Sequence, residues 1–220
     1  MQQIRTRDLK SIWVYQITPE APSDKYVFLF HDEWGMTSNM KEKAEAIYSE
    51  LENTNVWLID FYASQKPRTY DQAQALLGRQ TWVQTSNMIM SLLDEVGPNA
   101  EIVTMGYAVG GGWALEASML AYKKSKGTVM YYGTPIMVQD ILRNIQGPVL
   151  GIFSSTDPWI TPDLVSSFQE KMDDESLTFM PMFWDATHGF ATPGSPVYDE
   201  AAAADAQAQA MAFVKSQLRD

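Results

Sequence analysis

Short apolar runs alternate with amphipathic helical patterns along the chain, and this alternation constrains the fold more than any other feature. Val56–Phe61, interrupted only by Asp60, and Val149–Phe153 are short apolar runs, as expected of strands that are buried on both faces. Between such runs the apolar residues take helical spacing, as at Ile89, Leu92 and Val96. Strands that alternate with helices form a mostly parallel sheet with helices on both faces. We therefore predict an α/β fold.

The same patterns place the remaining strands and two helix starts. We expect strands over Ser11–Ile17, Lys25–His31, Ile102–Met105, Val129–Tyr132 and Leu177–Trp184. Asn39 is predicted to cap the first helix, and Thr161 with Pro162 to begin a later one. The 220 residues show no internal repeat and no linker, which predicts a single domain over residues 1–220.

Charge and composition exclude several classes of function. The chain has 16 Lys and Arg against 27 Asp and Glu, a net charge of −11, so neither nucleic acid nor an anionic membrane is an expected partner. No stretch reaches the roughly 18 apolar residues that span a bilayer, and Met1–Lys10 is polar, which predicts a cytoplasmic protein. With no cysteine and only two histidines, we expect no disulfide, no metal site, no cofactor and no thiolate chemistry.

A glycine-rich segment, Gly106–Gly112, follows a predicted strand and opens a predicted helix. Its spacing, G-x-x-x-G-G-G, does not match the G-x-G-x-x-G of a dinucleotide site. It does match the elbow G-x-Nuc-x-G, in which small flanking residues let the chain turn sharply and expose a central nucleophile. The central residue here is Ala108, which has no nucleophilic atom. Taken alone, the segment also fits a turn that packs a helix closely against a sheet.

Two polar residues follow later strands in the chain order of an elbow-type hydrolase, which is nucleophile, acid, histidine. Asp157 comes after the strand Val149–Phe153, and His188 comes after the last predicted strand. Each has an ordinary alternative, since Asp157 precedes a proline in a turn-like segment and His188 could be a simple hydrogen-bonded imidazole. Their joint placement at strand ends nevertheless favours a catalytic pair.

The segment His31–Gly35 comes at the end of the second predicted strand, Lys25–His31. In such folds this position supplies one amide of an oxyanion hole. We predict the backbone N–H groups of Glu33 and Val109 as the two donors. His31 as a catalytic base is the competing interpretation, but its position ahead of the elbow breaks the chain order.

These motifs together resemble the dienelactone hydrolase family of α/β-hydrolases, over nearly the whole chain. The matching segments are His31–Gly35, Gly106–Gly111, Val129–Gly133, Asp157–Pro162 and His188–Ala191. The resemblance implies an α/β-hydrolase fold and a Cys-Asp-His triad for ester or lactone hydrolysis, with Asp157 orienting His188. It also implies a carboxylate that helps to ionise the cysteine, which is Asp32 when Gly35 anchors the alignment and Glu33 when the alignment shifts.

The chain departs from that family at two positions. Ala108 stands where the family has its cysteine, so the triad lacks a nucleophile. Thr192 stands four residues after the histidine, where enzymes that act on dienelactone have an arginine for the substrate carboxylate. There are three explanations for Ala108. The cysteine was changed to alanine deliberately, it was lost naturally to leave a non-catalytic ligand-binding protein, or another residue supplies the chemistry.

The predicted ligand is a small ester or lactone, bound by a chain that is a monomer or a weak homodimer. Five side chains near the expected mouth are candidates for its pocket. They are Trp34, Tyr107, Tyr132, Trp159 and Thr192. For each aromatic residue, core packing is the alternative.

Overall fold

An eight-stranded sheet runs through the part of the chain that the computed structural model describes, residues 1–7 and 11–219. Its strands are β1 (Gln2–Arg5), β2 (Ser11–Ile17), β3 (Lys25–Phe30), β4 (Asn55–Asp60), β5 (Glu101–Tyr107), β6 (Ser125–Tyr131), β7 (Val149–Ser154) and β8 (Phe179–Trp184). Residues 8–10, the end of the polar stretch Met1–Lys10, lie outside the described residues, as does residue 220.

Seven helices connect and flank these strands in the described residues. They are α1 (Ser38–Ser49), α2 (Tyr70–Leu77), α3 (Trp82–Glu95), α4 (Val109–Ala121), α5 (Gln139–Leu142), α6 (Pro162–Asp174) and α7 (Glu200–Leu218). The strand order is β1-β2-β4-β3-β5-β6-β7-β8. The pairs β1–β2 and β2–β4 are antiparallel, and all the other neighbouring pairs are parallel. The mostly parallel sheet predicted from the alternation is confirmed.

The two faces of the sheet bury separate apolar layers, because successive side chains of a strand point to opposite faces. In β3, Val27 and Leu29 join the layer formed with α1 and α7. Phe28 and Phe30 join the opposite layer, formed with α3 and α4. Helices therefore cover both faces, and loops at the strand ends remain open to form a site.

The predicted start of the first helix is wrong by two residues. Thr37 is the N-cap of α1, and its side chain accepts a hydrogen bond from the Met40 amide. Asn39 lies inside the helix, where its side-chain amide donates to the Pro193 carbonyl at 2.7 Å. Thr161 and Pro162 do begin α6 as predicted. In residues 1–7 and 11–219, no helix is both long and apolar enough to cross a membrane.

Candidate active site

The carboxyl ends of five parallel strands meet at one pocket of about 240 Å3. Glu33 follows β3, Ala108 follows β5, Tyr132 follows β6, Trp159 follows β7 and His188 follows β8. The lining residues are Glu33, Tyr70, Gln74, Ala108, Val109, Tyr132, Thr134, Trp159, Ile160 and His188. The carboxyl edge of an open parallel sheet is the usual place for ligand sites in such folds.

Ala108 occupies a strained turn between β5 and α4. Its φ of 49° and ψ of −119° lie in a region that residues with a Cβ rarely adopt. The flanking glycines make the turn possible. A Cβ on Gly106 would overlap the Gly110 carbonyl, and one on Gly110 would overlap the His31 carbonyl. The chain thus bends sharply at Ala108 and directs residue 108 into the pocket.

Asp157 and His188 form a hydrogen-bonded pair at the same pocket. His188 Nδ1 lies 2.6 Å from Asp157 Oδ2, while Asp157 Oδ1 accepts the backbone N–H groups of Trp159 and Ile160 at 2.9 Å each. Since the ionised carboxylate can only accept, His188 Nδ1 carries the hydrogen, and in the neutral imidazole Nε2 then presents a lone pair. That arrangement suits His188 to take a proton from a group in the pocket.

Hydrogen bonds determine which form of Asp157 the fold favours. Burial raises the pKa of this carboxyl, but the bond to His188 and the two backbone N–H groups favour the charged form more strongly, so the pKa lies below its usual value of 3.8. Asp157 is therefore ionised at neutral pH.

Hydrogen bonds connect the loops that carry Asp157 and His188. The hydroxyl groups of Ser154 and Thr156 both donate to the Ala186 carbonyl. The His188 ring also lies between two aromatic rings, with centroid distances of 4.9 Å to Tyr132 and 4.9 Å to Trp159. These contacts position the imidazole before any ligand binds.

Two backbone N–H groups beside the turn at Ala108 are available as hydrogen-bond donors. Val109 is the first residue of α4 and Glu33 lies in the turn after β3, and both line the pocket. Within residues 1–7 and 11–219, neither amide donates a hydrogen bond to a protein acceptor. Amides at a helix N-terminus are favourable partners for a negative oxygen.

The two acidic residues of the first motif differ in position. Glu33 lines the pocket, whereas Asp32 is buried beside it and accepts the Trp34 amide at 2.9 Å. Burial and the nearby Glu33 carboxylate raise the pKa of Asp32 to about 7, against the opposing effects of the Trp34 amide and Lys43.

Lys43 of α1 is the cation that faces Asp32. Its Nζ donates to the Ala191 carbonyl at 2.5 Å and lies 4.4 Å from the centre of the Tyr107 ring. Burial lowers the pKa of this amine to about 8, although Asp32 acts in the opposite direction. Lys43 lines a separate cavity between α1 and α7, and it does not line the pocket at Ala108.

His31 is a structural residue in this fold. Its side chain is fully buried, Nδ1 lies 2.6 Å from the Asp32 carbonyl, and Nε2 accepts the Phe61 amide at 3.2 Å. Both ring nitrogens are thus occupied by backbone groups. Burial lowers the pKa of His31, in agreement with a neutral imidazole.

The candidate pocket side chains fall into two groups. Tyr132 and Trp159 line the pocket. Tyr107 is buried against Tyr131, with ring centroids 4.3 Å apart, and Thr192 lies at hydrogen-bond distance from the Tyr132 hydroxyl, 3.2 Å away. Neither Tyr107, Thr192 nor Trp34 is among the lining residues.

Four lining residues were not among the candidate site residues, namely Tyr70, Gln74, Thr134 and Ile160. Tyr70 and Gln74 belong to α2, a short helix that carries no motif and that the apolar spacing did not predict. The Thr69 N-cap, with Asp71 in the first turn, is the one local signal that could have indicated α2. Among the described residues, no three Asp, Glu or His side chains come together as a metal-binding group.

Comparisons with known proteins agree with this architecture. The sequence profile described as the dienelactone hydrolase family matches residues 12–218. A protein of Saccharolobus solfataricus named "Putative carboxymethylenebutenolidase" is 25% identical, over 94% of this chain and 95% of its own length. The uncharacterised protein YczH of Bacillus subtilis is 26% identical over 80% of this chain and 85% of its own.

Solved structures share the fold at lower sequence identity. A dienelactone hydrolase-like promiscuous phosphotriesterase from metagenomic libraries superposes with a TM-score of 0.81 and 16% identity, covering 98% of this chain and 97% of that one. Propionate-bound esterase 2 of Thermogutta terrifontis superposes with a TM-score of 0.69 and 14% identity, covering 98% and 93%.

Proposed function

The chain belongs to the dienelactone hydrolase family, a family of esterase-like hydrolases, and on that premise we propose that its pocket is an acyl-transfer site for carboxylic esters or lactones from which the nucleophile is missing. In the protein with Ala108, the site binds such compounds without cleaving them. The observation that carries the proposal is the strained elbow at Ala108, which opens onto the same pocket as His188.

The strain at Ala108 supports a site that was built to present a side chain. A non-glycine residue in a sparsely populated backbone region costs on the order of 1–3 kcal/mol, and such residues cluster at active sites. An alanine gains nothing chemically from this conformation. A cysteine at position 108 would have its sulfur exposed at the floor of the pocket.

The remaining groups have the roles that hydrolysis requires. A thiolate at position 108 would form by proton transfer to His188 Nε2 and would attack the ester carbonyl. The N–H groups of Val109 and Glu33 would hold the resulting oxyanion. His188 would then give its proton to the departing alkoxide and later activate the water that releases the acid, while Asp157 holds the ring. The auxiliary carboxylate of this scheme is Glu33, since Glu33 lines the pocket and Asp32 does not.

The test is the substitution Ala108→Cys, assayed with 4-nitrophenyl acetate. Removal of a nucleophile from a complete triad costs on the order of a millionfold in the subtilisin example, so restoring one should raise kcat by about 10³-fold or more. Because the chain contains no other cysteine, the single thiol can be titrated to confirm that it is reduced. Strong hydrolysis by the Ala108 protein itself would contradict the triad assignment.

Two control variants separate catalysis from simple thiol reactivity. Ala201→Cys places a thiol on the exposed first turn of α7 and should give no turnover. Ala108→Cys combined with His188→Asn keeps the thiol at the elbow but removes its base, and should lose most of the gain. Equal rates in all three cysteine variants would refute an enzymatic mechanism.

The second candidate function is that of a non-catalytic binding protein. Ala108 favours it, because alanine has no nucleophilic atom. In that case Asp157 and His188 would serve only to shape the pocket. A folded Ala108→Cys protein that binds esters yet hydrolyses none of them would decide for this candidate.

A further inference from the structure

The charge of the pocket bears on which ligands it accepts, beyond the part that Glu33 takes in the acyl-transfer scheme. Glu33 is the one carboxylate among the lining residues, and no Lys or Arg of the described chain lines the pocket. The Lys43 ammonium acts on Asp32 and lines the cavity that also contacts Tyr107, not the pocket at Ala108. Any negative group on a ligand would therefore meet an uncompensated carboxylate.

The field of Glu33 reaches into the pocket. Burial raises the pKa of the Tyr132 hydroxyl most, and the hydrogen bond with Thr192 opposes it. The charges of Tyr107, Asp32 and, least of the three, Glu33 raise the pKa further. Tyr132 lines the pocket and contacts the His188 ring. A charge that acts on the Tyr132 hydroxyl also acts on a ligand in front of it.

The rim of the pocket carries two aromatic rings that the fold leaves largely uncovered. Trp159 is 67% exposed and Tyr70 is 61% exposed, the former from the loop after β7 and the latter from the start of α2. The edge-to-face contact of Trp159 with His188, at 86° between ring planes, leaves most of the indole free for a ligand. Exposed aromatic faces beside a carboxylate are the composition that binds organic cations.

We propose that this pocket selects its ester by charge, favouring a cationic aryl or alkylammonium group held between the Glu33 carboxylate and the rings of Trp159 and Tyr70, and rejecting an anionic group. The inference rests on the proposed function, because it assigns the ligand class of the same pocket. It makes Glu33 and Trp159 specificity-determining residues.

The Ala108 protein allows the test by equilibrium binding, since intact esters should persist in its pocket. Three aryl acetates serve as probes: 4-acetoxy-N,N,N-trimethylanilinium, phenyl acetate and 4-acetoxybenzoate, the two charged ones both substituted at the para position. Calorimetry at pH 8 and low ionic strength should give the tightest binding for the cation and the weakest for the anion. We expect the two charged probes to differ at least tenfold in Kd, and 0.5 M NaCl to reduce that ratio.

Variants assign the selection to individual groups. Glu33→Gln should shrink the anion-to-cation ratio of Kd about tenfold, whereas Glu20→Gln, the same charge change in the exposed β2–β3 loop, should leave the ratio as it was. Trp159→Ala should weaken binding of the cation by threefold or more, and Trp159→Phe should recover most of that loss. Because Trp159 is mostly exposed, these changes should leave the fold intact.

The outcomes separate this inference from the proposed function. Equal Kd values for the cationic and anionic probes, or an unchanged ratio in Glu33→Gln, would overturn the charge selection. Absence of hydrolysis by Ala108→Cys, with charge selection intact in the Ala108 protein, would overturn the acyl-transfer site and leave the charge selection standing.

Discussion

At the scale of single residues, the sequence predicted a sharp turn at Ala108 but not the backbone strain of Ala108 itself. The glycines at 106 and 110 predicted a close approach of backbone segments, and each lies where a Cβ would collide with a carbonyl. The positive φ of Ala108 could not be predicted from an alanine, which carries no preference for that region. The strain becomes visible only when β5 and α4 are both in place.

That strain predicts an unusual response to glycine. Ala108→Gly should raise the free energy of unfolding by about 1 kcal/mol, since relief of a conformation that costs roughly 1–3 kcal/mol exceeds the added flexibility of the unfolded chain. Urea unfolding measures the difference. The matched control is Ala117→Gly in the middle of α4, where the residue is buried in ordinary helix and the same change should destabilise by about 1 kcal/mol or more. Loss of stability in both variants would show that the elbow is relaxed.

At the scale of elements, hydrophobic pattern predicted the buried strands best. β4 and β7 are buried along their whole length and were predicted within one residue, because strands covered on both faces must be apolar throughout. β2, rich in β-branched and aromatic residues, was predicted at its observed bounds although only Ile12 and Val14 are buried. The pattern failed for β1 and α2, where only Ile4 of β1 and Ala73 and Leu76 of α2 are buried. Elements with so little buried surface give too weak a periodicity to be recognised.

A buried carboxyl between two helices predicts how stability depends on pH. Glu116 of α4 is 3% exposed and accepts hydrogen bonds from Thr85 and Ser86 of α3 at 2.7–2.8 Å. Burial raises its pKa from 4.5 to about 7, although the hydroxyl groups oppose this. Between pH 4.5 and 7 the folded state therefore holds the extra proton, so stability falls as the pH rises through this range and levels off above it.

Glu116→Gln should remove this part of the pH dependence. Relative to the parent, the variant should gain stability between pH 5 and pH 8, by roughly 2–3 kcal/mol, because the glutamine pays no cost of ionisation. Urea unfolding at the two pH values gives the quantity directly. The control is Glu42→Gln on the exposed side of α1, for which the free energy of unfolding should change with pH as it does in the parent. The same unchanged pH dependence in Glu116→Gln would contradict the raised pKa of Glu116.

At the scale of the whole molecule, the site is a product of topology. Motif spacing placed Ala108, Asp157 and His188 at strand ends in the right order, and the parallel sheet brings those ends to one edge. Tyr70 and Gln74 reach the same pocket from α2, which no sequence signal connected to the elbow. Chemistry-bearing residues were thus predictable from chain order, whereas the residues that shape the pocket depend on how helices pack over the sheet.

Because five strand ends and α2 contribute to one pocket, a bound ester should stabilise the molecule as a unit. At a free concentration of ten times its measured Kd, phenyl acetate should raise the free energy of unfolding of the Ala108 protein by about 1.4 kcal/mol, or roughly 3–6 °C in Tm. Calorimetric scans measure the shift, and Trp159→Ala should show a smaller one at the same concentration. In Ala108→Cys the shift should decay as the ester is consumed. An equal shift from a mixture of phenol and acetate would mean that the intact ester is not what the pocket recognises.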